Sequence, residues 1–198
     1  MILILCSPRT GSSIVSRIFH EHGCYIGKMD NRAEYPAYES KELKEVARKQ
    51  WLDYNKNREK DWGIPMEPTE THLANVASVM QRYPENTCFK TIVEFYKLFL
   101  QFEPKIILIN RNEDSAVKSM AHKHGKMSKA YMNGIREIHR KRMASMEQIE
   151  KDYGAKWIDT DKLIEGDYKM IRAAFRYCGM RFNKQIGESV IDPNMWNH

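Results

Sequence analysis

Four short, largely apolar segments form the strongest hydrophobic pattern along the chain. They lie at residues 1–6, 87–91, 105–110 and 155–158. The third segment contains Ile106-Ile107-Leu108-Ile109, where polar residues do not alternate with apolar ones. Strands that are apolar on both faces are typical of a parallel sheet covered by helices on both sides. The pattern therefore predicts four buried parallel strands.

The segments between the predicted strands carry apolar residues at helical spacing. Residues 12–22 are the clearest example, because Ile14, Ile18 and Phe19 share one face. Further helices are predicted at residues 40–60, 70–82, 92–102, 113–122, 128–153, 160–164 and 168–177, with a short strand or extended turn at 24–27 and an irregular tail from 191. Alternating strands and helices predict an α/β fold, a three-layer sandwich with a central parallel sheet, in one domain over residues 1–198.

Composition and charge narrow the class of partner. The 198 residues are 42% hydrophobic and 29% charged, with a net charge of +6, which favours a globular protein with an anionic partner. No apolar run approaches the ~18 residues of a membrane span, and residues 1–5 are too short for a signal peptide. The four cysteines are far apart and lack metal-binding spacing. These features predict a cytoplasmic protein with reduced thiols and no membrane partner.

The loop at residues 7–13, between the first predicted strand and helix, is the main candidate for chemistry; we call it the N-terminal loop. A helix N-terminus directs several backbone N–H groups at one point and adds partial positive charge, which suits a phosphate. Glycine lets the backbone approach the anion, hydroxyls donate hydrogen bonds, and a guanidinium adds charge. The candidate ligands are Arg9, Thr10, Gly11, Ser12 and Ser13.

The N-terminal loop differs from the G-x-x-x-x-G-K-[ST] loop of ATPases. When Gly11 is aligned with the second glycine, Cys6 takes the place of the first glycine and Ser12 that of the lysine. The positive charge stands three residues earlier, at Arg9. This difference argues against ordinary ATP or GTP hydrolysis. A P-loop-type kinase of a nucleotide or metabolite remains an alternative.

A second candidate segment follows the predicted strand at 105–110. Arg111 leaves the carboxyl end of that strand, where ligands of open α/β sheets collect, and Ser119 lies two helical turns into the next helix. Both side chains can therefore face one phosphate. A surface ion pair with Asp114 is the alternative role for Arg111.

The two segments together resemble the signatures of sulfotransferases that use 3'-phosphoadenosine 5'-phosphosulfate (PAPS). Pro8-Arg9-Thr10-Gly11-Ser12-Ser13 is similar to their 5'-phosphosulfate loop, in the arginine variant. Arg111-Asn112, with Ser119 eight residues after the arginine, is similar to their 3'-phosphate motif, although Glu113 stands in the usual proline position. The resemblance implies a P-loop NTPase-like sulfotransferase fold, PAPS as the donor, and a reaction that requires no metal.

The resemblance also suggests catalytic residues. Arg9 would stabilise charge on the bridging oxygen of the donor. The family's usual histidine base is replaced by Ile92, directly after Lys90-Thr91, and Lys90 is either a donor-site residue or a surface lysine. Residues 35–40 are similar to a glutamate-bearing segment of other members, which makes Glu39 the first candidate base. Glu34, Glu94 and His122 are the alternatives.

The remaining observations concern the partner. The expected partners are a nucleotide donor and an acceptor with a hydroxyl or amine, with a carbohydrate or small molecule favoured and nucleic acid disfavoured. The predicted helix at 128–153 carries a basic run, which is interpreted as a solvated face or as a surface that attracts anions. Its members are Arg136, His139, Arg140, Lys141 and Arg142. A non-catalytic nucleotide- or nucleic-acid-binding protein is a further alternative.

Overall fold

The fold was examined in a computed structural model that describes residues 1–27, 40–55 and 63–191. Four strands form one parallel sheet in the order β2-β1-β3-β4. Their bounds are β1 Ile2–Cys6, β2 Cys88–Ile92, β3 Lys105–Asn110 and β4 Lys156–Asp159. Each lies within about one residue of a predicted strand, so the predicted parallel sheet is confirmed.

Helices cover both faces of this sheet. They are α1 Ser12–Glu21, α2 Lys41–Asn55, α3 Glu70–Met80, a 3-10 helix Val93–Phe102, α4 Glu113–Lys123, α5 Lys129–Tyr153, α6 Thr160–Ile164, α7 Lys169–Tyr177 and α8 Lys184–Val190. Sequence reasoning missed α8. Residues 24–27 contribute an isolated parallel bridge, from Tyr25 to Thr87. Within the described part of the chain, no helix has the length and apolarity needed to cross a membrane.

The apolar side chains form two layers, one on each side of the sheet. Leu3, Leu5 and Leu108 face α2, α3, the 3-10 helix and α5. Ile4 and Ile107, their neighbours along the strands, face α1 and α7 on the other side. This alternation follows from the two-residue period of a strand. It confirms the predicted α/β sandwich of three layers.

The strand register brings the candidate segments to one edge of the sheet. Cys6, the last residue of β1, is paired with Ile92 on one side and Ile109 on the other. Asn110 at the end of β3 is paired with Asp159 at the end of β4. Because all four strands are parallel, the segments that leave their carboxyl ends are neighbours.

Candidate phosphate-binding site

Two residues of the N-terminal loop have positive φ angles. Arg9 has φ 68° and Gly11 has φ 80°, and both values lie in the left-handed region. For a side-chain-bearing residue such as Arg9 this conformation costs about 1–2 kcal/mol. When left-handed residues alternate with residues of negative φ, successive backbone N–H groups turn toward a common concavity, which suits an anion. The strain at Arg9 is thus tied to the shape of the candidate site.

Helix α1 begins directly after this concavity. Gly11 occupies the N-cap position and makes no side-chain capping bond. The N–H groups of the first helical residues have no acceptor inside an α-helix, which applies here to Ser12 and Ser13. These groups and the helix dipole are therefore directed at whatever anion the loop receives.

Buried hydrogen bonds fix the loop from behind. The hydroxyl of Thr10, which is fully buried, donates to the Ser7 carbonyl oxygen at 2.7 Å. The Thr160 hydroxyl, at the start of α6, lies 2.8 Å from the Thr10 carbonyl oxygen and 3.0 Å from that of Asn110. The Thr10 hydroxyl, which was expected to serve a phosphate, thus shapes the loop in this structure.

A buried histidine contacts the start of the loop. His139 on α5 places Nδ1 2.9 Å from the Ser7 hydroxyl oxygen. Burial lowers the pKa of this imidazole below its ordinary value. His139 is therefore neutral at pH 7, and α5 contributes a polar contact to the site without adding positive charge.

The structure brings the two predicted motifs into direct contact. The guanidinium of Arg9 donates from Nε to the Ser119 hydroxyl at 2.9 Å. Arg111 donates from Nη1 to the Arg9 carbonyl oxygen at 3.2 Å. The side chain of Ser119 also lies on α4 in a buried position. Arg9, Arg111 and Ser119 thus form one cluster, although Arg9 is more than a hundred residues away from the other two in the chain.

Arg111 has a different carboxylate partner from the one considered in the sequence. Its Nε donates to Asp161 at 3.3 Å, and the other oxygen of Asp161 accepts the Asn112 backbone N–H at 2.7 Å. Asp114 pairs instead with Arg136 at 2.7 Å. Burial lowers the pKa of Arg111, but a guanidinium stays charged at neutral pH. Asp161 therefore holds a permanent cation at this edge of the sheet.

Lys90 supplies a third cation, after Arg9 and Arg111, from the neighbouring strand β2. It is the third residue of β2 and is buried, with 5% of its surface exposed. Its Nζ donates to the Ser13 hydroxyl at 2.9 Å. The N-terminal loop has Ser12 where the ATPase loop has its lysine. Lys90 places an ammonium beside Ser13, the next residue. Lys90 is therefore not a surface lysine, and its role as a donor-site residue stays a prediction.

Two expectations about charged residues are corrected. Glu94, an alternative base, is 1% exposed, and its Oε1 accepts hydrogen bonds from Arg142 and from the Gly63 backbone N–H. This carboxylate is committed to a buried ion pair and is no longer a candidate base. The basic run on α5 is not a uniformly solvated face either, because His139 and Arg142 are buried.

The remaining candidate bases are His122, Glu39 and Glu34. His122 lies at the exposed end of α4. Glu39 and Glu34 lie outside the described residues. Sequence reasoning assigned no role at the site to Thr160 and Asp161, and it did not predict the contact between Ser7 and His139. The Asp159-Thr160-Asp161 segment carried a usable signal, since it follows the fourth predicted strand at the same edge of the sheet.

Comparison with solved structures identifies the fold as that of sulfotransferases. The sulfotransferase domain of the Synechococcus PCC 7002 olefin synthase matches with a TM-score of 0.60 and 15% identity, over 100% of this chain and 82% of that chain. The sulfotransferase STF9 from Mycobacterium avium matches with a TM-score of 0.57 and 9% identity, over 96% and 66% respectively. No protein-family model and no curated protein matches the sequence. At these identities the likeness establishes the fold, and the predicted sulfotransferase fold is confirmed.

Proposed function

We propose that this chain is a PAPS-dependent sulfotransferase. The observation that carries the proposal is the contact of Arg9 with Ser119 and of Arg111 with the Arg9 carbonyl. Two segments that were singled out separately, each for one end of the same nucleotide, meet at one edge of a sheet with the sulfotransferase fold. A chance resemblance in either segment would not require this juxtaposition.

The proposed donor site has two phosphate positions. The backbone N–H groups of residues 10–13 and the ammonium of Lys90 would hold the 5'-phosphosulfate. Arg111 and Ser119 would hold the 3'-phosphate. A cavity of about 410 Å³ adjoins Arg111 and is also lined by Asn110, His139 and Arg140, so the guanidinium is accessible to a ligand. Arg9 belongs to the loop of the first position, and its guanidinium contacts Ser119 of the second, so we expect Arg9 to affect both.

The proposed reaction is in-line transfer of a sulfuryl group. The bond between sulfur and the bridging oxygen of the donor breaks, and a bond forms between sulfur and the acceptor oxygen or nitrogen. The acceptor proton passes to a base, and the products are the sulfated acceptor and adenosine 3',5'-bisphosphate. Arg9 and Lys90 would stabilise the charge that develops on the bridging oxygen. Glu39 remains the proposed base, with Glu34 and His122 as alternatives, and the chemistry itself needs no metal.

Calorimetric titration with two nucleotides tests the proposal. Adenosine 3',5'-bisphosphate should bind, and Arg111→Ala should weaken it by about 1.5–3 kcal/mol, the range for hydrogen bonds to charged groups. Adenosine 5'-monophosphate lacks the 3'-phosphate, so Arg111→Ala should weaken its binding less than that of the bisphosphate, whereas Arg9→Ala should weaken both ligands. Arg172→Ala, on the exposed face of α7, removes the same charge away from the site and is the control.

The titration also separates the alternatives. Binding of magnesium-ATP without any response to the bisphosphate would contradict the proposal and support a P-loop-type kinase. Salt-sensitive binding of nucleic acid with no nucleotide response would support a non-catalytic binding protein.

A further inference from the structure

His139 is a buried titratable group that the proposed reaction does not use. It lies on α5 with 4% of its surface exposed, and its Nδ1 is 2.9 Å from the hydroxyl oxygen of Ser7. Ser7 is the first residue of the N-terminal loop and is itself buried. The imidazole therefore contacts the loop from behind, through a hydrogen bond that a neutral or a protonated ring can make.

One turn of backbone separates this imidazole from the proposed phosphosulfate position. Residues 8 and 9 form the turn, and the Thr10 hydroxyl closes it by donating to the Ser7 carbonyl oxygen at 2.7 Å. The ends of such a turn lie within about 7 Å of each other. The N–H groups proposed to hold the anion begin at Thr10, so the anion and the imidazole are separated by a distance on the order of 10 Å. At that distance a unit charge in protein surroundings can still move a pKa by about one unit.

The charges around His139 leave the imidazole neutral at pH 7. They come from α4, from α5 and from the segment after β3, and they are Glu113, Arg140, Arg142, Glu147 and Arg111. Burial is the main reason that the pKa of His139 is low; Glu113 raises this pKa and Arg142 lowers it. Arg142 is already paired with Glu94. No single charge among these groups is strong enough to overcome burial.

The proposed donor site adds cations that oppose protonation of His139. Arg9 and Arg111 are joined through the Arg9 carbonyl oxygen, and Lys90 reaches Ser13. A donor anion would neutralise these cations and bring further negative charge close to the loop. Histidine responds to such a change near neutral pH, because its ordinary pKa is about 6.5. Among the described residues that line the cavity next to Arg111, His139 is the only histidine.

We propose that His139 takes up a proton from solvent when the donor nucleotide binds, an inference that rests on the proposed function. The proton adds to the free ring nitrogen, and no other bond is made or broken. The imidazolium then donates its Nδ1–H to the Ser7 hydroxyl oxygen and places a positive charge behind the loop. Because the bound state holds this proton more tightly, its contribution to nucleotide affinity is full at low pH and is lost as the pH rises through the pKa of the bound state.

Calorimetry with adenosine 3',5'-bisphosphate, in buffers that differ in ionisation enthalpy, counts the protons taken up on binding. Between pH 5 and 7, the wild type should take up at most about 0.5 proton more than His139→Gln, the difference that a pKa change of about one unit implies. The ratio of their affinities should rise by up to about tenfold as the pH falls from 7.5 to 5. The phosphates of the ligand also titrate in this range, but they do so in both proteins. Glutamine can keep a hydrogen bond to Ser7, so the variant removes the titration and retains the support of the loop.

His124→Gln is the matched control, because His124 is an exposed histidine at the end of α4 that does not line the cavity. It should take up as many protons as the wild type. Nuclear magnetic resonance of the wild type gives a second measurement that needs no substitution: the bisphosphate should raise the pKa of the His139 ring by about one unit.

These measurements distinguish the inference from the proposed function. If the bisphosphate binds but His139→Gln takes up as many protons as the wild type, or the pKa of His139 does not change, the proposed function stands and the inference is overturned. An equal loss of proton uptake in His124→Gln would also overturn it. If the bisphosphate does not bind but inorganic sulfate raises the pKa of His139, the loop is a proton-coupled anion site and the sulfotransferase function is refuted. If neither anion binds, both are refuted.

Discussion

The buried ion pair between Glu94 and Arg142 offers a sharp test of the packing between the 3-10 helix and α5. Oε1 of Glu94 accepts from Nη2 of Arg142 at 2.7 Å and from Nε at 2.8 Å, and it also accepts the Gly63 N–H at 3.1 Å. The two side chains are only 1% and 8% exposed. Removal of one partner leaves the other charge buried without compensation, which costs about 3–5 kcal/mol.

We therefore expect Arg142→Met to lower the free energy of unfolding by about 3–5 kcal/mol. Methionine keeps much of the apolar stem, so the loss of charge dominates over the loss of volume. Urea denaturation followed by circular dichroism measures the effect at pH 7. The double variant Glu94→Gln with Arg142→Met should be more stable than the sum of the two single effects implies, by about 1–3 kcal/mol, since it no longer buries an unpaired charge.

Arg140→Met is the control for this experiment. Arg140 lies two residues away on the same helix, but its side chain is 67% exposed and pairs with Glu113 at the surface. Exposed pairs of this kind contribute little to stability, because solvent screens the two charges. The reasoning is refuted if Arg142→Met costs no more than Arg140→Met, or if the double variant shows no coupling.

Three further predictions concern the site and its supports. The pKa of His139 lies below its ordinary value of 6.5 because of burial, so the unfolded chain takes up the proton first as the pH falls. The free energy of unfolding of the wild type should therefore decline below about pH 6.5. In urea titrations between pH 7 and 5, the free energy of unfolding of His139→Gln should decline less. Gly63→Ala should lower the unfolding free energy by at least about 1 kcal/mol, because φ is +91° and the new Cβ would lie 2.8 Å from that of Lys141. Gly134 lies in α5 with open space around it, so Gly134→Ala should raise the free energy of unfolding by about 0.5–1 kcal/mol and thereby raise the thermal midpoint. A lower thermal midpoint would contradict this prediction.

The sequence was most informative where local pattern and fold agree. A strand such as Lys105–Asn110 is apolar at four consecutive positions, and only burial on both faces explains this. The position of Arg111 followed, because a residue after such a strand must leave the sheet at its carboxyl edge. The same argument predicted that the N-terminal loop lies at the carboxyl end of the first strand.

The sequence was least informative about polar side chains that are buried by partners far along the chain. The helical period of α5 indicates which residues share a face, but it does not show that Ser7 and Glu94 lie opposite His139 and Arg142. Asp161 was missed for a similar reason, since its partner Arg111 is fifty residues away. A charged side chain by itself favours exposure to solvent, and only a tertiary contact with a polar or oppositely charged partner reverses that preference.

The hydrogen bonds around the N-terminal loop join residues that are 77, 110, 132 and 150 positions apart in the chain. Contacts of such large sequence separation require the closure of long segments of chain, which costs conformational entropy. An anion bound there would tie β1, β2, α4, α5 and α6 together. Its binding energy would thus add to the stability of the whole chain, and unfolding of any one of these elements would release it.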